Sequence, residues 1–370
     1  MSSKHAALSG HVRRLCSLGS DPHIVIPHVV ETLRTLVGAD WGMFFYADAQ
    51  YALSDMYSQN EAIYAMMPLY MSEVHNTEMQ VDAMGVSFST AMRRGRGYEN
   101  SARHDGVLLN STMYNELYRP MYIRHSLELT AFDGKRGWGS VTLKRMPGGR
   151  PFSERDLADI RPLSAHIAHA LTSPKGRHPD HTEDGRSSVI VADDTGKIML
   201  QNDDGMRMLA LAGGESVSHA QHTRLPGWLA PLLANFNGIW RGCAAAPPVL
   251  ERFNAAGRFT FRAYRFDHAA VNADHACIAI YTEHFPPLAF EIETRGFQLG
   301  LSERQRQLCI YLLLRRSHGD IAQLMGIRES TVIDHVRKIY AKLDVHNLTQ
   351  LQASFRHVQS GTAVVPSPHC

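Results

Sequence analysis

LSERQRQLCIYLLL (Leu301–Leu314), SHGDIAQLMG (Ser317–Gly326) and ESTVIDHVRKIYAKL (Glu329–Leu343) decide the fold of the C-terminal end of the chain. Ser302 stands three residues before Gln305, the spacing at which a hydroxyl caps a helix and an amide caps it back. Leu308–Leu314 is almost continuously apolar, so this first helix is the expected buried scaffold of a small helical unit. Ser317 can cap a second helix, and Gly326 supplies the left-handed residue that turns the chain sharply into a third. On that third helix Val332, Val336, Ile339 and Leu343 fall within about 40° of one line at 100° per residue and form the expected buried face. Ser330, Asp334, Arg337, Lys338 and Ala341 lie opposite, small or polar residues suited to a major groove. The spacing is that of a helix-turn-helix.

Outward from this unit, the 370 residues leave room for two or three domains of roughly 100–200 residues each. With 44% apolar and 20% charged residues the composition is that of a globular chain, and no run of apolar residues is long enough to span a membrane. The start, Met1–Gly10, lacks the apolar stretch of a secretory signal, so residence in the cytoplasm is expected. Five scattered cysteines without a C-x-x-C pair argue against disulfides or a zinc knuckle. Net charge is only +2, yet Leu301–His357 holds nine Lys/Arg against five Asp/Glu, so the positive field is concentrated where the helix-turn-helix lies.

Two composition breaks divide the chain. Ser173–Arg186 (SPKGRHPDHTEDGR) is nearly devoid of apolar residues and reads as a linker; a second boundary is placed near Glu293, after Pro286-Pro287. The expected plan is a domain at 1–172, a linker at 173–186, a second domain at 187–292, the helical unit at 293–358 and a tail at 359–370. In the first domain, a helix over Ile24–Leu36 and a strand over Asp40–Ala47 precede helices over Glu61–Glu73 and Gly106–Tyr118. Strands over Ile123–Phe132 and Gly139–Arg145 joined by Asp133–Arg136 come next, then a helix capped by Ser153 with Asp156 at its third position. The second domain opens on a hairpin, Ser188–Ala192 and Lys197–Asn202 about the turn Asp193–Gly196. Helices near Met206–Leu211 and Leu229–Phe236 and strands Arg258–Phe266 and Cys277–His284 follow.

Leu301–Gln305, Asp320-Ile321-Ala322, Thr331-Val332, His335 and Lys342–Val345 resemble the LuxR-type DNA-binding domain. The resemblance implies a sequence-specific, double-stranded-DNA-binding transcriptional regulator that works as a homodimer with RNA polymerase. Ile333, Asp334 and Arg337 would face base edges, Thr331 and Lys338 would approach phosphates, and Ser330 belongs to the same face. The chain departs from the family at four positions: Arg315 and Asp344 where glycine is usual, Ile333 where lysine is common, and Arg328 where a serine caps the third helix. The apolar stripe Leu348, Leu351, Phe355 is expected to serve dimerisation, with burial in its own domain as the alternative.

Asn110–Leu171, with Tyr114-Asn115-Glu116, Arg119-Pro120 and Pro151–Leu157, resembles a GAF-like sensory domain, and Ser188–Leu209, with Asp194-x-Gly196 and Asn202, resembles the start of a PAS domain. The expected fold class is therefore multidomain: two α+β sensory domains, GAF-like and PAS-like, followed by an all-α helix-turn-helix domain. Seven of the 16 methionines lie between Met56 and Met92 among Tyr51, Tyr57, Tyr64 and Tyr70, where the GAF-like resemblance places a pocket. Methionine suits an irregular apolar cavity, so Trp41, Tyr57, Tyr64 and Met67 are the candidate ligand residues for a small-molecule effector; ordinary core packing is the alternative.

No G-x-S-x-G, H-E-x-x-H or Walker loop is present, Gly95-x-Gly97 lacks the third glycine of a dinucleotide fingerprint, and His166/His169 lack partners at metal-ligand spacing, so no catalytic residue, metal or cofactor is assigned. Two other classes fit the residues: an adaptor that uses the helical unit only to dimerise, and an enzyme with an unrecognised site in the N-terminal half.

Overall fold

The computed structural model describes residues 3–173, 180–193, 195–215, 222–266 and 277–355. Residues 174–179 of the expected linker, Asp194 of the expected turn and the expected tail lie outside these residues.

The first domain is built on an antiparallel sheet of β1 (Trp41–Ala47), β2 (Leu53–Ser58), β3 (His125–Phe132) and β4 (Gly137–Arg145), in the order β2-β1-β4-β3. The helices Ser3–Cys16, Pro22–Val37, Glu154–Ile160 and Ser164–Thr172 cover one face, packing Val12, Val29, Leu33 and Ile167 against Phe44, Leu127 and Val141. Each starts or stops for a local reason. Asp21 caps Pro22–Val37 and Gly38, at φ 66°, ends it; Ser153 and Asp156 form the expected capping box. Pro162 divides the last expected helix by a short 3₁₀ turn at Arg161–Leu163.

The other face of this sheet is irregular. The expected helix from Glu61 holds only from Ala62 to Leu69, after which the backbone loosens into a π-helical turn, Tyr70–Val74. The expected helix Gly106–Tyr118 is instead a single turn, Asp105–Leu108, followed by a second π-helical turn, Tyr114–Tyr118. Short helices Glu78–Met84 and Phe88–Arg94 complete this layer. π-helical turns are rare and cluster at functional sites, because the widened turn re-aims its side chains.

The second domain carries β5 (Arg186–Ala192), β6 (Ile198–Leu200), β7 (Val249–Asn254), β8 (Gly257–Phe266) and β9 (Cys277–Phe285), an antiparallel sheet in the order β6-β5-β9-β8-β7. Helices Asp203–Gly213 and Ala230–Trp240 lie on one face, over Ile190, Phe259, Phe261 and Ile280, and this core is continuous with that of the first domain. Elements absent from the sequence expectations include the helices Ser3–Cys16, Glu78–Met84, Phe88–Arg94 and Leu288–Gln298 and the strands Leu53–Ser58 and Val249–Asn254. The boundary expected near Glu293 falls inside a continuous helix, Leu288–Gln298, which starts immediately after Pro286-Pro287 and runs into the C-terminal unit.

The C-terminal unit consists of helices Glu303–Leu313, His318–Met325, Glu329–Leu343 and Leu348–Ser354 around Leu308, Ile321, Val332, Ile339 and Leu351.

Candidate functional site

The helix-turn-helix is fixed by its caps. Ser302 with Gln305 and Ser317 with Asp320 form reciprocal capping boxes, and Gly326 takes the left-handed conformation at φ 63°. Arg328 starts the third helix without a side-chain cap. Arg315 and Asp344, which stand where glycine is usual in the family, hold left-handed backbone at φ 58° and 53°. The departures therefore change the residue but keep the turn.

Val332 and Ile339 are buried, with Val336, Tyr340 and Leu343 packed around them. This leaves Ser330, Asp334, Arg337 and Lys338 exposed, and Thr331 and Ile333 half-buried beside them. Asp334 Oδ1 lies 3.7 Å from Arg337 Nη1, one turn along the helix, and both side chains stay mostly in solvent. The face thus presents a forked donor and an acceptor together, the pair of groups that can address guanine and cytosine edges.

The stripe Leu348, Leu351, Phe355 requires correction as a dimerisation surface. Leu351 and Phe355 are buried and Leu348 is half-buried in the core of their own domain. The last helix returns onto the first and third helices, so its apolar side closes the unit.

The irregular face of the first sheet forms a partly open cavity of about 80 Å³. Its walls are apolar: Ile63, Met66 and Met67 from one helix, Met84 and Phe88 from the next two, Leu117 and Ile123 from the second π turn and the loop beyond. Its floor is the sheet, and there the lining changes character. Met43 and Phe45 of β1 give way to Ser140, Thr142 and Lys144 on β4 and Glu128 on β3. Tyr70 and Tyr118, one from each π turn, close over it with Tyr98.

The polar groups form a buried network. Lys144 Nζ donates to Ser126 Oγ at 2.8 Å and to Tyr118 Oη at 3.1 Å, and the Tyr98 and Ser126 hydroxyls bond to each other. Glu128 Oε2 accepts the Tyr98 backbone N–H at 2.9 Å. A Cβ on Gly97 would lie 1.9 Å from that oxygen, so the bare backbone of Gly97 permits the approach. Burial pulls the Lys144 ammonium down to about 7, and burial pushes the Glu128 carboxyl up to about 7.

Of the four candidate ligand residues, Met67 lines this cavity. Trp41 and Tyr64 pack in the surrounding cluster without lining it, and the Tyr64 hydroxyl accepts the Ser58 N–H at the end of β2. Tyr57 requires correction. It pairs with Phe44, so strand alternation places it with the helix-covered face of the sheet, away from the cavity. The residues that sequence reasoning missed, Lys144, Glu128, Tyr98 and Tyr118, are polar strand and loop residues.

A third cluster joins the sensor half to the helix-turn-helix. Glu293, fully buried on the connecting helix, receives His11 Nδ1 at 3.2 Å and Arg306 Nη2 at 2.9 Å, with Arg14 Nε at 3.6 Å. Arg306 belongs to the first helix of the C-terminal unit and His11 and Arg14 to the N-terminal helix. The His11 ring stacks on Phe297 at 3.8 Å. Burial opposes the Glu293 charge, but His11 and the arginines override it and hold the carboxyl down at about 2.

Among the described residues no group of three His, Cys, Asp or Glu side chains is arranged to hold a metal ion, and no helix is long and apolar enough to cross a membrane. Residues 299–354 match the family of bacterial regulatory proteins, luxR family, and residues 21–171 match the GAF domain; both are regulatory domains. No curated protein matches the chain. Among solved structures the E. coli DhaR(N)–DhaL complex is similar at 11% identity over 77% of this chain and 90% of that one, with a TM-score of 0.22, an overlap too loose to bear on fold or function. The two domain matches make the chain a ligand-sensing transcriptional regulator with a GAF sensory domain and a LuxR-family DNA-binding domain.

Proposed function

We propose that the cavity between β1, β4 and the two π turns is the effector site, and that its occupancy is transmitted through the Glu293 cluster to the Glu329–Leu343 helix. The observation that carries this reading is the continuity of buried structure. The helix-covered side of the first sheet shares one core with the second domain and with Phe290 of the connecting helix, and the cavity lies on the other face of that sheet. A fully buried carboxylate ties the connecting helix to the N-terminal helix and to the C-terminal unit. On DNA, Arg337 and Asp334 read base edges with Ile333 beside them, while Ser330, Thr331 and Lys338 approach phosphates. The domain plan keeps its N-terminal unit at 1–172 and a PAS-like middle domain near 187–292. The sheet order β6-β5-β9-β8-β7, with two helices between β6 and β7, supports the PAS-like reading.

The regulator acts in the cytoplasm as a homodimer and recruits RNA polymerase at promoters. With the Leu348–Phe355 stripe committed to its own core, pairing falls to the outer face of the second sheet. There Val189, Tyr281, Arg262 and Val249 align across four strands, beside Leu200 and Tyr264 of the next row; Val189, Leu200, Val249 and Tyr264 are all exposed. Binding to DNA sites selected from a random library, measured against salt, tests the reading. A dimer neutralising roughly six phosphates loses about a thousandfold in affinity between roughly 50 and 200 mM salt. A flat salt dependence contradicts it.

A further inference from the structure

The floor of the cavity holds a buried lysine with no carboxylate in ion-pair contact among the described residues, Glu128 favouring its charge only through space. The Lys144 side chain is buried, its two hydrogen-bond acceptors are the neutral hydroxyls of Ser126 and Tyr118, and no carboxylate among the described residues forms an ion pair with it. An ammonium carries three donors, so one remains for the cavity that Lys144 lines. Glu128, the carboxyl nearest in the network, is already engaged by the Tyr98 N–H. A charge held in apolar surroundings is costly until an opposite charge joins it.

From this arrangement we propose that the effector is a small apolar monocarboxylate, whose anionic head is received by Lys144 and the Tyr118 hydroxyl and whose body fills the methionine-lined end. The proposal rests on the reading of this cavity as the effector site and adds the ligand class. Met66, Met67 and Met84 adapt to the shape of the body, and the cavity of about 80 Å³ limits that body to the order of one ring or a short chain. A neutral ligand brings no counter-charge to the buried ammonium, which otherwise has the Tyr118 ring and two hydroxyls about it. A cationic ligand adds a second positive charge beside it.

The pairing also predicts a pH dependence. The titratable groups facing Lys144 are Glu128 on β3, Tyr98 in the segment before it and Tyr118 in the π turn, with Glu99 acting on Glu128. The three tyrosine and glutamate neighbours that matter near neutrality are reduced to one, because burial raises the Tyr98 and Tyr118 hydroxyls far above it. Above about 7 the free protein must take up a proton at Lys144 to hold an anion, and Glu128 gains its own repelling charge over the same range. Acid affinity therefore falls as pH rises through about 7, whereas a neutral ligand shows no such fall.

The test is calorimetric titration of the full chain with benzoate and hexanoate, with benzamide and hexanamide as neutral isosteres and benzylamine as the cation, on the wild type, Lys144→Met and Lys144→Arg. One acid is expected to bind about tenfold or more tightly than its own amide, since a charge-assisted pair replaces a neutral bond. Lys144→Met is expected to remove that preference and Lys144→Arg, which keeps the charge, to retain it, with circular dichroism reporting that both variants are folded. Ser126 and Tyr118 lose their donor in Lys144→Met, so a lowered melt is expected of that variant and the acid-to-amide ratio is read below it. Equal affinity for acid and amide, or acid binding indifferent to Lys144→Met, overturns the proposal. If an amide or the amine binds and no acid does, the cavity remains the effector site and the ligand class is wrong. If nothing binds, the proposal and the effector-site reading fall together.

Discussion

The sensory cavity and the DNA-binding helix place their functional residues on opposite sides of a core. In the C-terminal domain the core is complete by itself, and Ser330, Asp334, Arg337 and Lys338 stand outside it. In the first domain, Glu128, Lys144, Tyr98 and Tyr118 stand inside, where they interrupt the apolar layer and are held by one another. An outward site can change its residues at little cost to the fold, because surface positions contribute little to stability. An inward site cannot, since each buried polar group depends on its partners. Substitutions should therefore separate stability from function in one region and entangle them in the other.

The largest effect expected is at a residue that touches no ligand. Leu351→Asp puts a carboxylate into the fully buried centre of the C-terminal domain, and we expect it to unfold that domain, at a cost of about 3 kcal/mol or more, and to abolish DNA binding. A folded variant with weakened self-association instead returns Leu351 to a dimer surface. Next is Glu293→Gln, which leaves the buried Arg306 without its counter-charge and should lower stability by about 3 kcal/mol in denaturant unfolding. The same residue sets an acid limit. Its carboxyl is held at about 2 against an ordinary 4.5, so the stability it contributes is present above about 4.5 and is lost as pH falls towards 2. Glu293→Gln should flatten that acid transition.

Smaller effects belong to the exposed helix. Arg337→Ala should cost about 1–3 kcal/mol in binding and relax preference at one base pair, while Lys338→Ala weakens all sequences evenly. Asp334→Ala relaxes a second position if Asp334 reads a base; if it only orients Arg337, its effect vanishes in the Arg337→Ala background, a distinction that a double-mutant cycle on a site library resolves. Smallest is Arg315→Gly, expected to raise stability by about 1 kcal/mol by relieving left-handed backbone, with Asp344→Gly gaining less because Asp tolerates that conformation better. Unchanged thermal unfolding for both would show that the turns carry no strain.

The same contrast explains what could be read from the sequence. Capping serines, Gly326 and the 3.6-residue spacing from Val332 to Leu343 act locally, so the helix-turn-helix and its outward face were legible. The strand HSLELTAF was legible as a strand, but its alternation of Ser126, Glu128 and Thr130 with Leu127, Leu129 and Ala131 describes a sheet with one wet face. Both faces are buried here, and nothing local announces the layer that covers the polar one. Tyr57 was misplaced because β2, Leu-Ser-Asp-Met-Tyr-Ser, carries little strand-forming residue and its pairing with β1 is set by tertiary contact. The π turns escaped for a similar reason, as their residues Tyr70–Val74 and Tyr114–Tyr118 fit an ordinary helix. The helix Ser3–Cys16 was missed although Leu8, Val12 and Leu15 keep helical spacing, because polar residues surround them.

The central claim is that the cavity and the DNA-binding face are coupled. Its most direct test is the affinity of the full chain for its selected DNA site, measured with and without a saturating acid that binds at Lys144. Coupling of this kind is reciprocal, so the acid should change DNA affinity by roughly 5- to 150-fold, and DNA should change acid affinity by the same factor. Identical DNA affinity in the empty and the occupied protein would contradict the account.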